Sequence, residues 1–127
     1  MLPFVSLIIP TLNEEEYLEQ TILSLLSNDY PSNKLELLIV DGLSKDNTVS
    51  IAQRLAKKFS NIRLISNSKI YQSAALNIGI RESKGDFIIR ADAHAIYDKN
   101  YIRSTIDLLQ KTNMQMSDLF KFQLAVH

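Results

Sequence analysis

Four short apolar runs, each followed by a segment with helical periodicity, constrain the fold of this chain more than any other feature. The runs cover residues 4–9, 35–40, 62–65 and 87–89, and β-branched residues recur in them. The segments between them repeat apolar residues at intervals of three and four, which is typical of amphipathic helices. Strands that alternate with helices of crossover length form parallel sheets. We therefore expect an α/β fold, with a mostly parallel sheet and helices on both faces.

Local signals predict where these elements begin and end. Pro10 and Asp41-Gly42 are expected to end the first two strands. The acidic run at residues 14–16 predicts the start of a helix, because negative charge is favoured at a helix N-terminus. Asp46 or Asn47 is expected to cap the second helix.

Length and composition are typical of one globular domain. The 127 residues are 46% hydrophobic and 22% charged, which is enough to bury a core without disulfide or metal staples. The 14 basic and 14 acidic residues balance, so no long-range field favours nucleic acid as a partner. The chain has no cysteine, no basic stretch before its first apolar run and no apolar run of membrane-spanning length. We expect a cytoplasmic protein, either free or at the inner face of the membrane, without a transmembrane segment in this chain.

Polar clusters follow three of the predicted strands at their carboxyl ends. They are Thr11-Leu12-Asn13-Glu14, Asp41-Gly42-Leu43-Ser44 and Asp92-Ala93-His94. Ligands of parallel sheets bind at this edge, so the clusters should converge on one crevice. Carboxylates, hydroxyls and an imidazole suit a ribose, a base and a divalent cation that neutralises phosphate. A P-loop and a G-x-G-x-x-G turn are both absent from the sequence.

Several of these residues also have a purely structural interpretation. Asp41-Gly42 alone is a turn, and Asp46 is expected to be a helix cap. His94 alone would be a solvated loop residue. Gly79 is best explained by close packing of its helix, because glycine otherwise costs a helix about 1 kcal/mol relative to alanine. The sequence leaves open whether two cations reach phosphate or solvent: Lys69 and Arg90.

Five motifs occur in a fixed order along residues 4 to 111. They are Pro10-Thr11-Leu12-Asn13-Glu14, Val40-Asp41-Gly42-Leu43-Ser44-Lys45-Asp46-Asn47-Thr48, Ala75-Leu76-Asn77-Ile78-Gly79, Lys84-Gly85-Asp86 and Asp92-Ala93-His94. Each is weak alone, but the ordered set resembles glycosyltransferase family 2. The run at residues 89–95 looks closest to the succinoglycan-biosynthesis type of bacterial exopolysaccharide glucosyltransferase.

The resemblance implies a GT-A fold, which is the Rossmann-like half of a nucleotide-diphospho-sugar transferase. It implies a nucleotide-sugar donor, commonly a UDP-sugar, a saccharide or lipid-linked saccharide acceptor, and a single displacement that inverts the anomeric centre. Thr11 and Glu14 would lie beside the base and ribose, and Asp41 would accept a hydrogen bond from the base. The implied donor-binding residues are Pro10, Thr11, Asn13, Glu14, Asp41, Ser44, Asn77 and Asp92.

His94 departs from the family pattern, because it replaces the last carboxylate of the Asp-X-Asp motif. The resemblance implies that Asp92 and His94 touch the ribose or a metal. Imidazole is a reasonable ligand for Mn²⁺ and a poor one for Mg²⁺, so Mn²⁺ is the predicted cofactor. We also expect Asp41 and Asp92 to lie at exposed strand ends, where substitution changes stability by no more than about 0.5 kcal/mol.

The resemblance fades after Asn113, and residues 114–127 form a divergent tail. Family members continue through acceptor-binding segments and a late carboxylate that serves as general base. We therefore expect residues 1–127 to be a single, truncated donor-binding domain whose catalytic residues are unknown, and a frameshift is one cause that would explain the truncation. The alternative for residues 114–127 is an ordinary tail or a divergent loop. The leading hypothesis is a glycosyltransferase, and the alternative is a non-catalytic nucleotide-binding fragment without the base.

Two other classes share this order of strands and helices. A nucleotidyltransferase should carry a Gly-rich basic loop after the first strand, where this chain has Pro10-Thr11-Leu12-Asn13-Glu14. A receiver-like domain would take up phosphate at an aspartate. Both are less well supported than the family resemblance.

Overall fold

The computed structural model describes residues 2–69 and 72–111. The four strands form one parallel sheet in the order β3-β2-β1-β4. The strands are β1 (Val5–Thr11), β2 (Leu35–Asp41), β3 (Ile62–Ser66) and β4 (Phe87–Arg90). The helices are α1 (Leu18–Leu26), α2 (Thr48–Lys58), α3 (Gln72–Glu82) and α4 (Tyr101–Lys111), and a short 3₁₀ turn (Ser32–Lys34) precedes β2. The predicted α/β fold is confirmed.

Alternate side chains of β1 build an apolar core on each face of the sheet. Val5, Leu7 and Ile9 point to one face, where they belong to a core completed by α1, α2 and α4. Ile8 points to the other face and packs in a smaller cluster with α3. Helices therefore cover both faces, and the sheet is buried between them.

Gly79 brings α3 close to the sheet. A Cβ atom at this position would lie 2.6 Å from Ile8 Cγ2, which is well inside van der Waals contact. The close-packing explanation for Gly79 is therefore confirmed. Ala75 and Leu76, earlier in α3, pack in the same cluster with Ile8 and Val40.

The first strand continues through Pro10 to Thr11 instead of ending at Pro10. The Ala91 N–H donates to the Ile8 carbonyl, so the backbone polar groups of Ile8 point towards β4. Backbone direction alternates along a strand, so the backbone nitrogen of Pro10, two residues later, also points to the β4 side. The pairing of β1 with β4 ends at the Ile8–Arg90 pair. Proline can therefore continue the strand at this position, because its missing N–H removes no ladder hydrogen bond.

The prediction for residues 114–127 lies outside the described residues, and the single-domain prediction for residues 1–127 stays a prediction. Among the described helices, we find none with the length and apolar character needed to cross a bilayer.

Candidate functional site

A cavity of about 240 Å³ opens at the carboxyl edge of the sheet. We call it the strand-end cavity. It is lined by residues from the ends of β1, β2, β3 and β4 and from α3: Pro10, Thr11, Leu12, Glu14, Val40, Gly42, Asn67, Ala75, Asp92, Ala93 and His94. Five of the predicted site residues therefore meet at one place: Pro10, Thr11, Glu14, Asp92 and His94.

Asp41 is buried at the end of β2, with only 4% of its surface exposed. Its Oδ1 accepts hydrogen bonds from Thr11 Oγ1 (2.8 Å) and Ser44 Oγ (2.6 Å), and its Oδ2 accepts one from the Ser44 N–H (2.9 Å). The expectation of an exposed Asp41 was therefore wrong. The loop after β2 turns back over the strand end, and this places the carboxylate beneath its own backbone.

The loops after β1 and β2 are joined by hydrogen bonds between side chains and backbone. The Asn13 N–H donates to Ser44 Oγ, and Asn13 Oδ1 accepts from the Lys45 N–H, both at 2.8 Å. The Glu14 N–H donates to Thr48 Oγ1 at 2.7 Å. Asn13 and Ser44, two predicted donor-binding residues, thus hold the two loops together and are not among the lining residues of the strand-end cavity.

Asp46 joins the same two loops at the start of α2. Its Oδ1 accepts from the Thr48 backbone (2.9 Å) and side chain, and its Oδ2 accepts from the Glu15 N–H (3.2 Å). Asn47 lies at the N-cap position of α2, but its side chain makes no capping hydrogen bond. Asp46, one residue earlier, instead accepts the hydrogen bond of the first N–H of the helix. Burial opposes ionisation of this carboxyl, but the bonds from Thr48 and Glu15 outweigh it and lower its pKa. α1 begins at Leu18 and not at Glu15, since residues 15–17 form a turn tied to this loop.

Two pairs of polar side chains contact each other at the strand-end cavity. His94 Nδ1 lies 3.2 Å from Glu14 Oε2, so this imidazole bridges the loops after β1 and β4 while its side chain stays 61% exposed. Asp92 Oδ1 lies 3.2 Å from Nη2 of Arg90, whose side chain is only 8% exposed. Arg90 therefore pairs with Asp92.

The described part of the chain does not hold a complete set of protein metal ligands. No group of three or more His, Cys, Asp or Glu side chains within residues 2–69 and 72–111 is arranged to bind an ion. Glu14, Asp92 and His94 nevertheless line one cavity. A divalent cation can bind such a site through one or two protein ligands when a diphosphate supplies further oxygens.

Sequence reasoning missed two residues at this site. Asn67 follows β3 and lines the strand-end cavity, so the strand-end rule applied to β3 would have found it. Tyr97 lies in the loop between β4 and α4, and its Oη accepts a hydrogen bond from the Asp92 N–H at 2.7 Å. Burial raises the pKa of Tyr97. No motif in the sequence pointed to Tyr97.

Asn77, a predicted donor-binding residue, lies in a neighbouring cavity of about 280 Å³. Asn67 lines both cavities and forms part of the wall between them. The other described residues of the neighbouring cavity are Ser66, Ser68, Lys69, Ala74, Ile78 and Arg81. The structure thus places Asn77 beside the strand-end cavity but not in its lining.

Solved structures with this fold include the following two. The mannosyltransferase PcManGT from Pyrobaculum calidifontis, in complex with GDP-Man and Mn²⁺, is 28% identical, with a TM-score of 0.80 over 86% of this chain and 33% of that chain. S. aureus TarS in complex with UDP-GlcNAc is 23% identical, with a TM-score of 0.73 over 84% of this chain and 31% of that chain. They confirm the GT-A, Rossmann-like fold.

Curated relatives share the sequence over most of this chain. The dolichyl N-acetyl-alpha-D-glucosaminyl phosphate 3-beta-D-2,3-diacetamido-2,3-dideoxy-beta-D-glucuronosyltransferase of Methanococcus voltae is 39% identical over 110 residues, which are 85% of this chain and 34% of that protein. Succinoglycan biosynthesis protein ExoA of Rhizobium meliloti is 36% identical over 103 residues, which are 80% of this chain and 31% of that protein. The chain therefore spans about a third of the length of these relatives.

A protein-family model matches nearly the whole chain. The profile of glycosyl transferase family 2 matches residues 6–120, which include all five motifs. Membership of this family removes the nucleotidyltransferase and receiver-like alternatives. With the motifs at the carboxyl edge of a GT-A sheet, this chain belongs to glycosyl transferase family 2.

Proposed function

We propose that this chain binds the nucleotide diphosphate of an activated sugar and forms the donor-binding part of an inverting hexosyltransferase. The lining of the strand-end cavity carries this proposal. It combines two carboxylates, an imidazole and a buried hydroxyl at the sheet edge where α/β proteins bind ligands. The described lining contains no lysine or arginine, so the protein offers little fixed charge to a diphosphate there.

A divalent metal fits this lack of positive charge. Asp92 and His94 would hold the ion, and the diphosphate would complete its coordination. When bound, the metal supplies positive charge that neutralises the diphosphate leaving group. We propose Mn²⁺ over Mg²⁺ because imidazole suits Mn²⁺ better. The 28% identity to PcManGT, whose structure contains GDP-Man and Mn²⁺, supports this choice.

The protein's own residues would orient the nucleoside. Thr11 and Glu14 line the cavity and would contact the base and ribose. Asp41 is not among the lining residues but lies directly behind Thr11, which is. It would accept the ring N–H of a uracil at Oδ2, because this oxygen has two lone pairs and accepts one hydrogen bond from Ser44. A UDP-sugar is therefore the proposed donor. The acceptor would be a saccharide or a lipid-linked saccharide.

The proposed role is bacterial polysaccharide synthesis in the cytoplasm, free or at the inner face of the membrane. The 36% identity to a succinoglycan biosynthesis protein supports the polysaccharide assignment. The cytoplasmic location stays a prediction from the composition.

Thermal unfolding with UDP, GDP and dTDP, each with Mn²⁺ or Mg²⁺, tests nucleotide binding. A ligand at a hundred times its Kd stabilises the folded state by about 2.7 kcal/mol, so the unfolding temperature should rise by several degrees. UDP with Mn²⁺ is expected to give the largest shift. Asp92→Asn should reduce the shift, and Asp107→Asn, an exposed carboxylate on α4, is the matched control. The absence of a shift with all three nucleotides at millimolar concentration would refute the proposal.

Calorimetric titration with Mn²⁺ and Mg²⁺ tests the metal site. Mn²⁺ should bind more tightly, and His94→Asp should narrow the difference by supplying an oxygen ligand. Equal affinities of the parent for Mn²⁺ and Mg²⁺ would contradict the assignment of His94 as a metal ligand. A turnover assay with several donors and acceptors then separates the two hypotheses for this chain, since only a glycosyltransferase gives acceptor-dependent product.

A further inference from the structure

We propose that Tyr97 is a positioning residue for Asp92, and that Tyr97 and Arg90 together fix the carboxylate that faces the strand-end cavity. The inference rests on the proposed function of this cavity, because it treats Asp92 as a donor-binding residue. Neither Tyr97 nor Arg90 lines the cavity, so each would act through Asp92.

Tyr97 holds the backbone of Asp92. The Asp92 N–H donates to Tyr97 Oη at 2.7 Å, and the Tyr97 N–H donates to Ser24 Oγ of α1 at 3.0 Å. The Tyr97 ring lies against Tyr101 of α4, with 4.5 Å between ring centroids. Tyr97, whose hydroxyl accepts the hydrogen bond from the Asp92 N–H, is thus held by contacts with two helices, α1 and α4.

Arg90 holds the side chain of Asp92. Its Nη2 lies 3.2 Å from Asp92 Oδ1, and its backbone is fixed at the end of β4 by pairing with Ile8. The Nε of Arg90 is buried, with no hydrogen-bond partner among the described residues. A buried donor without a partner is costly, so the buried position of this guanidinium needs an explanation. Its contact with the Asp92 carboxylate through Nη2 supplies one.

The two contacts leave Asp92 able to serve the cavity. Its side chain is 28% exposed and belongs to the cavity lining. Removing a group that orients a metal-binding side chain through a hydrogen bond typically lowers affinity about 10- to 100-fold. Because the hydroxyl of Tyr97 acts on the position of Asp92, its effect on ligand affinity should depend on the Asp92 carboxylate.

The test measures the affinity for UDP with Mn²⁺ in a double-mutant cycle of Tyr97→Phe and Asp92→Asn. Affinities are read from thermal-shift titrations extended to millimolar UDP, so that weak binding is still measured. Tyr97→Phe should weaken binding about tenfold in the parent and less than about twofold in the Asp92→Asn background. Tyr101→Phe, which removes a hydroxyl from the neighbouring ring, should change affinity less than about twofold.

Substitutions of Arg90 test the contact to the Asp92 side chain independently of Tyr97. Arg90→Lys keeps the charge and should retain more affinity than Arg90→Met, whose side chain is apolar. Urea unfolding of every variant measures folding separately from binding. If Tyr97→Phe does not fold, Ser24→Ala tests the same chain of contacts, and it too should weaken binding only when the Asp92 carboxylate is present.

Three results would overturn the inference while leaving the proposed function intact. They are parent-like affinity of Tyr97→Phe, equal losses in the parent and Asp92→Asn backgrounds, and equal losses for Tyr97→Phe and Tyr101→Phe. Failure of the parent itself to bind UDP, GDP or dTDP would instead refute the proposed function.

Discussion

Replacing Asp41 by asparagine is expected to destabilise the fold as well as weaken nucleotide binding. The carboxylate is 4% exposed and accepts hydrogen bonds at both oxygens. Thr11 Oγ1 and Ser44 Oγ donate to Oδ1, and the Ser44 N–H donates to Oδ2. An asparagine keeps one acceptor oxygen and presents an NH₂ group in place of the other. If the NH₂ group faces the Ser44 N–H, two donors meet. If it faces the hydroxyls of Thr11 and Ser44, these must turn to accept from it and lose their bonds to a charged acceptor.

The size of the loss follows from these contacts. A hydrogen bond to a charged group contributes about 1.5–3 kcal/mol, and an unsatisfied buried donor costs a comparable amount. Asp41→Asn is therefore expected to lower the free energy of unfolding by about 2 kcal/mol. With a urea m-value of about 2 kcal/mol/M, the unfolding midpoint would fall by about 1 M.

Urea unfolding followed by circular dichroism measures this change. Asp107→Asn, on the exposed surface of α4, is the matched control and should stay within about 0.5 kcal/mol of the parent. Thr11→Val removes one donor to the carboxylate and should cost about 1 kcal/mol. An Asp41→Asn midpoint equal to that of the parent would show that the three hydrogen bonds contribute no net stability.

Three further substitutions test the packing and loops that shape the site. Gly79→Ala should lower the free energy of unfolding by about 1–3 kcal/mol, because its Cβ would clash with Ile8. Urea unfolding measures this loss, and a smaller loss in an Ile8→Ala background would identify the clash as the cause. At pH values above 3.8, the ordinary pKa of this carboxyl, Asp46→Asn should be less stable than the parent. The pKa in the folded protein is lower, so the difference in stability between variant and parent should disappear as the pH falls through the folded pKa, which pH-dependent unfolding measures. Leu43 has φ of 64°, so Leu43→Gly should leave the urea midpoint unchanged or raise stability by up to about 1 kcal/mol, whereas a loss above that size would contradict backbone strain at this residue.

The fold could be predicted from the sequence because its determinants are local. Each strand is a short apolar run, and each helix has its own apolar face. The order of these elements then dictated parallel pairing. The end of β1 could not be predicted in the same way, because the tolerance of Pro10 depends on which side of β1 lacks a partner. That information lies in the pairing between strands distant in sequence.

The site could be predicted only in part. The strand-end rule correctly brought Thr11, Glu14, Asp92 and His94 to one cavity. It did not show that Asp41 is buried, because this depends on how the loop after β2 folds back over the strand. Tyr97 gave no signal, since a single tyrosine in a loop has no motif and its contact with Asp92 is visible only in three dimensions.

The motifs after β1 and β2 combine two physical roles. Asn13, Ser44 and Asp46 bind the neighbouring loop, since the side chain of each accepts a hydrogen bond from a particular backbone N–H. Glu14 lies among them but lines the strand-end cavity. Such cross-links order the loops before a ligand arrives, which reduces the entropy lost on binding. Substitutions of the loop-binding residues should therefore lower stability and affinity together, whereas substitution of Glu14 should mainly lower affinity.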